Sequence, residues 1–138
     1  MSSLRCLCAS ASLRRKTLKS ARGIMQAKAE ARYIRVSAQK ARLVVDLIRG
    51  MQAGAALNTL RAANKRIAPT VEKVLQSAIA NAVNRDEDVD VDTLVVSEAY
   101  VNEGPRMKRV RPAPMGRAYR YQRRMSHIVI KVAGKDKE

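Results

Sequence analysis

The chain has 138 residues, 46% of them hydrophobic, with a net charge of +16 and an isoelectric point near 10.8. This length suits one domain rather than two, and the absence of Trp and Phe excludes a core built on large apolar rings. The positive surplus indicates a polyanionic partner, which leaves nucleic acid, an anionic membrane surface or an acidic protein.

The first 24 residues differ in composition from the rest of the chain. Residues 1–24 contain six cations, five serines and no acid. They fit a basic disordered leader, a gene start placed too early with Met25 as the initiator, or an organelle transit peptide. Cys6 and Cys8 are too close for a good disulfide and lack the second pair of a zinc site, so we interpret them as incidental thiols.

Residues 25–134 are expected to form a single domain. Partial alternation over 26–36 predicts a strand, and Ser37 offers a side-chain oxygen for a helix start. Apolar side chains at helical spacing then predict a first helix over 38–49. Gly50 is expected just past its end, in the left-handed conformation.

A second, shorter helix is expected after Gly54, and Lys65 and Arg66 interrupt its pattern. Pro69 is acceptable only in the first turn of a third helix, whose broad apolar stripe runs to Val83. The acidic stretch 85–92 is interpreted as a loop. It lacks the glycine and the distal glutamate of a calcium-binding EF-hand loop.

Strands are predicted over 94–102 and 125–132, with a short polar tail at 135–138. Between them, residues 103–124 carry eight cations and a single acid, Glu103. The turn-forming stretch 112–116 divides this segment into two extended arms, each reaching about 25–30 Å. A lone two-stranded ribbon is marginal in water. We therefore expect this hairpin to be loose in the free protein, or ordered by a negative partner around it.

Arginine outnumbers lysine seven to one in this segment, and guanidinium suits phosphate because it donates two parallel hydrogen bonds. Alternation along the strands presents charge on both faces. That arrangement fits enclosure by RNA better than contact with a flat membrane, which favours an amphipathic helix. Tyr119 and Tyr121 lie among the arginines and are expected either to stack on unpaired bases or to pack on the opposite arm.

Six stretches, in this order, resemble one known family. They are SAQKARLVVDLIRG (37–50), NK (64–65), KVLQSAIANA (73–82), EGPRMKRVRP (103–112), GRA (116–118) and RRMSHIVIKV (123–132). This pattern is similar to the bacterial form of large-subunit ribosomal protein L twenty-two, from about Ala29 to Val132. The resemblance implies an α+β fold, with three helices packed on a small three-stranded antiparallel sheet and one long protruding β-hairpin, about 101–130.

The resemblance also implies a structural role in the large ribosomal subunit. The expected partners are large-subunit ribosomal RNA, neighbouring ribosomal proteins and the nascent chain in transit, with no membrane and no homo-oligomer. The expected location is the cytoplasmic ribosome, or an organelle ribosome if residues 1–24 are a transit peptide. Sedimentation with large particles distinguishes this role from that of a free nucleic-acid regulator, which stays light.

The site residues follow from the cationic segment and from the matched motifs. The expected RNA-binding residues are Lys40, Arg42, Lys65, Arg66, Arg106, Lys108, Arg109, Arg111, Arg117, Arg120, Arg123 and Arg124. The resemblance implies that the hairpin tip lines the exit tunnel of the nascent chain, and the residues expected at this tip are Met107, Lys108, Arg109, Val110, Arg111, Pro112, Met115 and Gly116.

Enzymatic interpretations are weaker. Ser37 and Lys40 fit the S-x-x-K pattern of serine acylases, but the accompanying S-D-N and K-T-G motifs are absent from the sequence. Ser126 and His127 are neighbours in a predicted strand, so they point to opposite sides and cannot form a nucleophile–base pair. His127 is expected to be structural or to face RNA. We expect no catalytic residue, no metal and no cofactor.

Overall fold

The computed structural model describes residues 24–85 and 90–135, with side chains over 26–85 and 90–134. Three sets of interpretations fall outside these described residues. They concern residues 1–23 with both cysteines, residues 86–89 of the acidic stretch, and residues 136–138 of the tail. The elements in chain order are strand β1 (Ile24–Ile34), helices α1 (Ala38–Ile48), α2 (Ala53–Ala62) and α3 (Ala68–Val83), a 3₁₀ turn (Val91–Thr93), and strands β2 (Val95–Pro112) and β3 (Ala118–Lys135).

The three strands form one antiparallel sheet in the order β1-β3-β2, so β3 is the central strand. The helices cover one face of this sheet. Alternate residues of β3 point into the core and are fully buried, namely Ile128, Ile130 and Val132. They meet Val45 of α1 and Leu75 of α3 in one aliphatic cluster. The predicted α+β fold is confirmed.

The opposite, open face of the sheet carries charges of both signs. Lys28 and Arg32 lie 3.3 and 2.9 Å from the carboxylate of Glu30, and Lys131 lies 2.6 Å from Glu98. The hydrogen bond from Arg32, and then that from Lys28, lowers the pKa of Glu30 below its ordinary value. On this face of the body, each of the two carboxylates is therefore paired with at least one cation.

The start of α1 differs from the prediction, whereas its end agrees with it. Ser37 occupies the N-cap position, but its side chain makes no capping hydrogen bond within the described residues, so the expected cap is wrong. Gly50 has a φ of 76°, which confirms the left-handed residue after the helix. Arg49 donates a 2.8 Å hydrogen bond to the carbonyl oxygen of Ala99 and ties this end of α1 to β2.

Two irregularities flank the central strand near Ser126, one in β1 between Ala31 and Ile34 and one in β2 between Glu103 and Arg106. Each places one extra residue opposite β3, which is the signature of a β-bulge. They mark the root of the hairpin, because β1 pairs with β3 only as far as Ser126.

His127 lies between the two bulges. Its Nδ1 accepts a 3.0 Å hydrogen bond from the backbone N–H of Tyr33, whose φ is 58°. The two rings meet edge to face with centroids 4.9 Å apart. On the other side, a Cβ on Gly104 would lie 3.2 Å from His127 Nε2 and 3.1 Å from the carbonyl carbon of Met125. His127 is therefore structural.

Candidate RNA interface

Beyond the root, β2 and β3 continue as a two-stranded hairpin with no third strand beside them among the described residues. Seven successive residue pairs run from Arg106 opposite Arg124 to Pro112 opposite Ala118. Every residue from 105 to 124 is exposed except Ala113, which is partly buried. The hairpin therefore contributes nothing to the hydrophobic core.

The pairing register sorts the hairpin side chains onto two faces, because opposite residues of an antiparallel pair point to the same side and successive residues alternate. The even face carries Arg106, Lys108, Val110, Arg120, Gln122 and Arg124. The odd face carries Met107, Arg109, Arg111, Tyr119, Tyr121 and Arg123. Cations lie on both faces, as the alternation predicted.

Almost none of this charge is neutralised within the described part of the chain. Arg106 donates a 2.8 Å hydrogen bond to the carboxylate of Glu103, and this contact lowers the pKa of Glu103. The other seven cations of 103–124 form no ion pair within residues 24–85 and 90–135. Arg106 and Arg124 stand directly opposite each other, which is an unfavourable arrangement for like charges. The hairpin therefore presents a strong positive field to its surroundings.

The apex of the hairpin is a short turn. The N–H of Ala113 donates a 2.8 Å hydrogen bond to the carbonyl oxygen of Arg117. Met115 and Gly116 both have left-handed φ values, 59° and 69°, and the side chain of Met115 is 93% exposed.

Most of the residues expected at the tip lie below this turn. Met107, Lys108, Arg109, Val110 and Arg111 follow the β2 arm down from Pro112. Met107 lies five residues from Pro112, which is about 17 Å along an extended strand. The predicted tip is therefore spread along one arm, and of its members Met115 and Gly116 lie in the apical turn from Ala113 to Arg117.

A basic groove of 840 Å³ lies beside the base of the hairpin, between the start of α1, the α2–α3 connection and β3. Its cations are Arg35, Lys40, Lys65, Arg66, Arg123 and Arg124. No carboxylate of the described residues lines it. The structure thus joins predicted RNA-binding residues from three separate stretches of sequence, and it adds Arg35, which follows β1 directly and which no motif distinguished.

Arg42 lies elsewhere, in a smaller cleft of 290 Å³ shared with Glu103, Arg106 and Arg124. Its guanidinium donates hydrogen bonds of 3.3 and 3.4 Å to the carbonyl oxygen of Val101. Arg42 therefore braces α1 against β2 and has fewer free donors than the cations of the groove.

The model of the family described as ribosomal protein L22p/L17e matches residues 29–133. The chain belongs to this family. Over 112 residues it is 84% identical to the large ribosomal subunit protein uL22 of Solibacter usitatus (strain Ellin6076), an alignment that covers 81% of this chain and 99% of that protein. It is 54% identical over 115 residues to the corresponding protein of Koribacter versatilis (strain Ellin345), covering 80% and 69% of the two chains. The resemblance inferred from the motifs is confirmed.

Within the L22p/L17e fold of this chain, Ser37 and Lys40 both line the basic groove. Ser126 is fully buried, and its Oγ has no hydrogen-bond partner among the described residues. His127 uses Nδ1 to hold the backbone of Tyr33.

No group of three or more His, Cys, Asp or Glu residues in the described ranges is arranged to hold a metal ion. In the same part of the chain, no helix is long and apolar enough to cross a membrane.

Proposed function

We propose that this chain is a structural, non-enzymatic constituent of the large subunit of the cytoplasmic ribosome, where it binds ribosomal RNA. Membership of the L22p/L17e family supports the ribosomal assignment. The observation that carries RNA binding is the hairpin, where eight cations face one carboxylate over residues 103–124. Such a surplus of positive charge favours association with a polyanion, and RNA supplies the counter-charge.

The basic groove extends this interface from the hairpin onto the body. Its six cations come from the end of β1, from α1, from the α2–α3 connection and from β3, so they are held at fixed relative positions by the packed core. Guanidinium and ammonium groups bind phosphate without reading sequence. We therefore assign the groove to docking of the body on the RNA surface, which orients the hairpin.

The finer part of the proposal is that the apex lines the tunnel through which the nascent chain leaves. The arm from Gly104 to Pro112 spans about 26 Å, enough to carry the turn far from the body. The strongly exposed Met115 then faces the passing peptide. The body is proposed to contact neighbouring ribosomal proteins, and the chain acts as a single copy.

Sedimentation tests the ribosomal assignment. An epitope-tagged full chain is expressed in a bacterium, and its lysate is separated on a sucrose gradient after a moderate salt wash. We expect the protein in the large-subunit fractions. A protein that remains at the top of the gradient is a free nucleic-acid binder, and this proposal is then wrong.

Shortening and crosslinking test the tunnel assignment. A chain shortened within 107–115 is expected to enter subunits, because the body still docks, and to alter the behaviour of nascent chains in the tunnel. A photoreactive amino acid in place of Met115 is expected to crosslink to a stalled nascent chain, whereas one in place of Tyr100 on the open sheet face is not. Crosslinks of equal yield from both positions, or failure of the shortened chain to assemble, contradict the assignment.

A further inference from the structure

The two faces of the hairpin differ in chemistry as well as in position. Two successive pairs on the odd face each set an arginine opposite a tyrosine, Arg109 with Tyr121 and Arg111 with Tyr119. The next pair toward the root sets Met107 opposite Arg123. The even face carries cations, Val110 and Gln122, and no ring. The odd face therefore offers aromatic rings for stacking, whereas the even face offers cations, one amide and Val110 but no aromatic ring.

We infer that the odd face binds unpaired RNA nucleotides, with Tyr119 and Tyr121 stacking on bases and Arg109, Arg111 and Arg123 binding the adjoining phosphates. This inference rests on the proposed function and names the form of RNA that this face takes. A base inside a duplex hides both of its flat surfaces, so an aromatic face selects nucleotides that have left the helix. The even face suits the phosphates of paired RNA.

The two rings are available for such contacts. Tyr119 is 61% exposed and Tyr121 is 39% exposed. Within 24–85 and 90–135 neither ring stacks on another ring, in contrast to Tyr33, which packs edge to face on His127. The guanidinium of Arg123 lies 5.5 Å from the centre of the Tyr121 ring, a cation–π contact that leaves much of the ring open.

The spacing of the rings also fits a base. Tyr119 and Tyr121 are two residues apart on one strand, so their attachment points are separated by about 6.7 Å. That distance is about twice the ~3.4 Å rise between successive nucleotides of a strand. One base can therefore lie between the two rings with a ring on each of its surfaces.

The odd face continues into the basic groove. A cleft of 470 Å³ lies where they meet, lined by Arg35, Arg66, Met107, Arg109, Tyr121 and Arg123 among others. Its size falls within the range of about 300–1,000 Å³ typical of sites for small organic groups. No carboxylate of the described residues lines this cleft. An RNA strand whose phosphates bind in the groove can thus place its next base against the ring of Tyr121.

Binding of two RNA probes to the purified full chain tests the inference. One probe is an unstructured single strand of about ten nucleotides, within the range of about 4–16 nucleotides for single-strand sites, and the other is a G·C-rich duplex of about ten base pairs. The variant Tyr119→Ile/Tyr121→Ile removes both rings and keeps residues that favour strands. The matched control, Tyr119→Phe/Tyr121→Phe, keeps the rings. Far-ultraviolet circular dichroism checks the fold of each protein.

Because stacking contributes about 1–3 kcal/mol per base, we expect the isoleucine variant to lose about tenfold or more in affinity for the single strand. Its affinity for the duplex should change by less than about twofold, and the phenylalanine variant should bind both probes like the original chain. Equal losses on both probes, or no loss on either, overturn the inference. If the original chain binds neither probe, the proposed function itself fails.

A second measurement works within the assembled particle. A photoreactive phenylalanine analogue in place of Tyr121 is crosslinked in purified large subunits. A crosslink to an unpaired nucleotide of the ribosomal RNA supports the assignment. Crosslinks only to paired RNA, or only to protein such as a nascent chain, overturn it.

Discussion

The body and the hairpin are parts of the same sheet, yet they are stabilised in opposite ways. In the body, strands β2 and β3 bury one face against helices and balance charges on the other, as in the 2.6 Å pair of Lys131 with Glu98. The same two strands then continue past Gly104 and Met125 with no core and almost no counter-charge from the described residues. The same pair of strands is thus buried and charge-balanced in the body, but exposed and unbalanced in charge in the hairpin, because the side chains differ.

The boundary between the two regions is sharp because several features coincide there. β1 stops pairing at Ser126, the β2 bulge follows Glu103, and His127 holds the backbone of Tyr33. These contacts anchor the ribbon to the packed body. Changes on the two sides of this boundary should therefore have different consequences.

The largest expected difference concerns the core. Ile130 is fully buried, so Ile130→Ala should lower the free energy of unfolding by about 2–5 kcal/mol. Val110→Ala, in the exposed hairpin, should change it by no more than about 0.5 kcal/mol. Urea unfolding followed by circular dichroism measures both values. A similar loss for the two variants would mean that the hairpin packs against the body.

The next difference concerns charge. Lys108→Gln/Arg120→Gln removes two unpaired cations of the even face. It should lower RNA affinity at low salt by about tenfold or more. The plot of log K against log salt should become less steep, its negative slope shrinking in magnitude by about 1.4–1.8. The matched variant Lys28→Gln/Lys131→Gln also removes two cations, but both are paired with carboxylates on the open sheet face. It should leave the slope nearly unchanged. Filter binding over a salt series measures this, and equal slopes for the two variants would remove the distinction between the regions.

A substitution at Gly104 tests how tightly the root of the hairpin is packed. A Cβ there would lie 3.1 Å from the backbone of Met125, so Gly104→Ala should destabilise the protein by about 1–2 kcal/mol. Gly54 in α2 is the control, because a Cβ added to it would meet no heavy atom of the described residues within 4 Å. Gly54→Ala should stabilise the helix by up to about 1 kcal/mol. Thermal unfolding compares them, and a neutral Gly104→Ala would show that the root is not tightly packed.

The smallest effect is on pH dependence. Arg32 and Lys28 lower the pKa of Glu30 in the folded protein. Its contribution to stability is therefore present above the ordinary carboxyl pKa and is lost as the pH falls through the lowered value. The Glu30→Gln variant should therefore lose slightly less stability than the original chain as the pH falls through the acid range. Urea midpoints between neutral and acid pH measure the change, and a steeper curve in the variant would have the wrong sign.

The sequence predicted the body well because its signals are local. Helical spacing located α1 and α3, and Gly50 marked the end of α1 correctly. Ser37 shows where local signals are insufficient, since it occupies the cap position without making the capping hydrogen bond. The predicted strands at 94–102 and 125–132 proved to be parts of two 18-residue strands that include the cationic arms.

The sequence predicted which residues belong to the candidate RNA interface, but not how they are grouped into surfaces. Charge composition identified the hairpin cations, and matched motifs identified Lys40 and Lys65. The grouping of those residues with Arg35 in one groove depends on how three elements pack. The division of the hairpin into an even and an odd face depends on the pairing register, which is set in part by the bulge after Glu103. Alternation along each arm predicts two faces, but which residues stand opposite each other, such as Arg109 and Tyr121, is known only from the register.

The end of the β1–β3 pairing at Ser126 leaves the outer side of β3 without a neighbouring strand from the described residues along the whole hairpin. An open strand edge normally invites another chain to add to it. Two copies joining there would bring one set of eight hairpin cations against another, and their mutual repulsion opposes such a pairing. The same unbalanced charge that suits a polyanionic partner therefore also works against pairing between exposed strand edges.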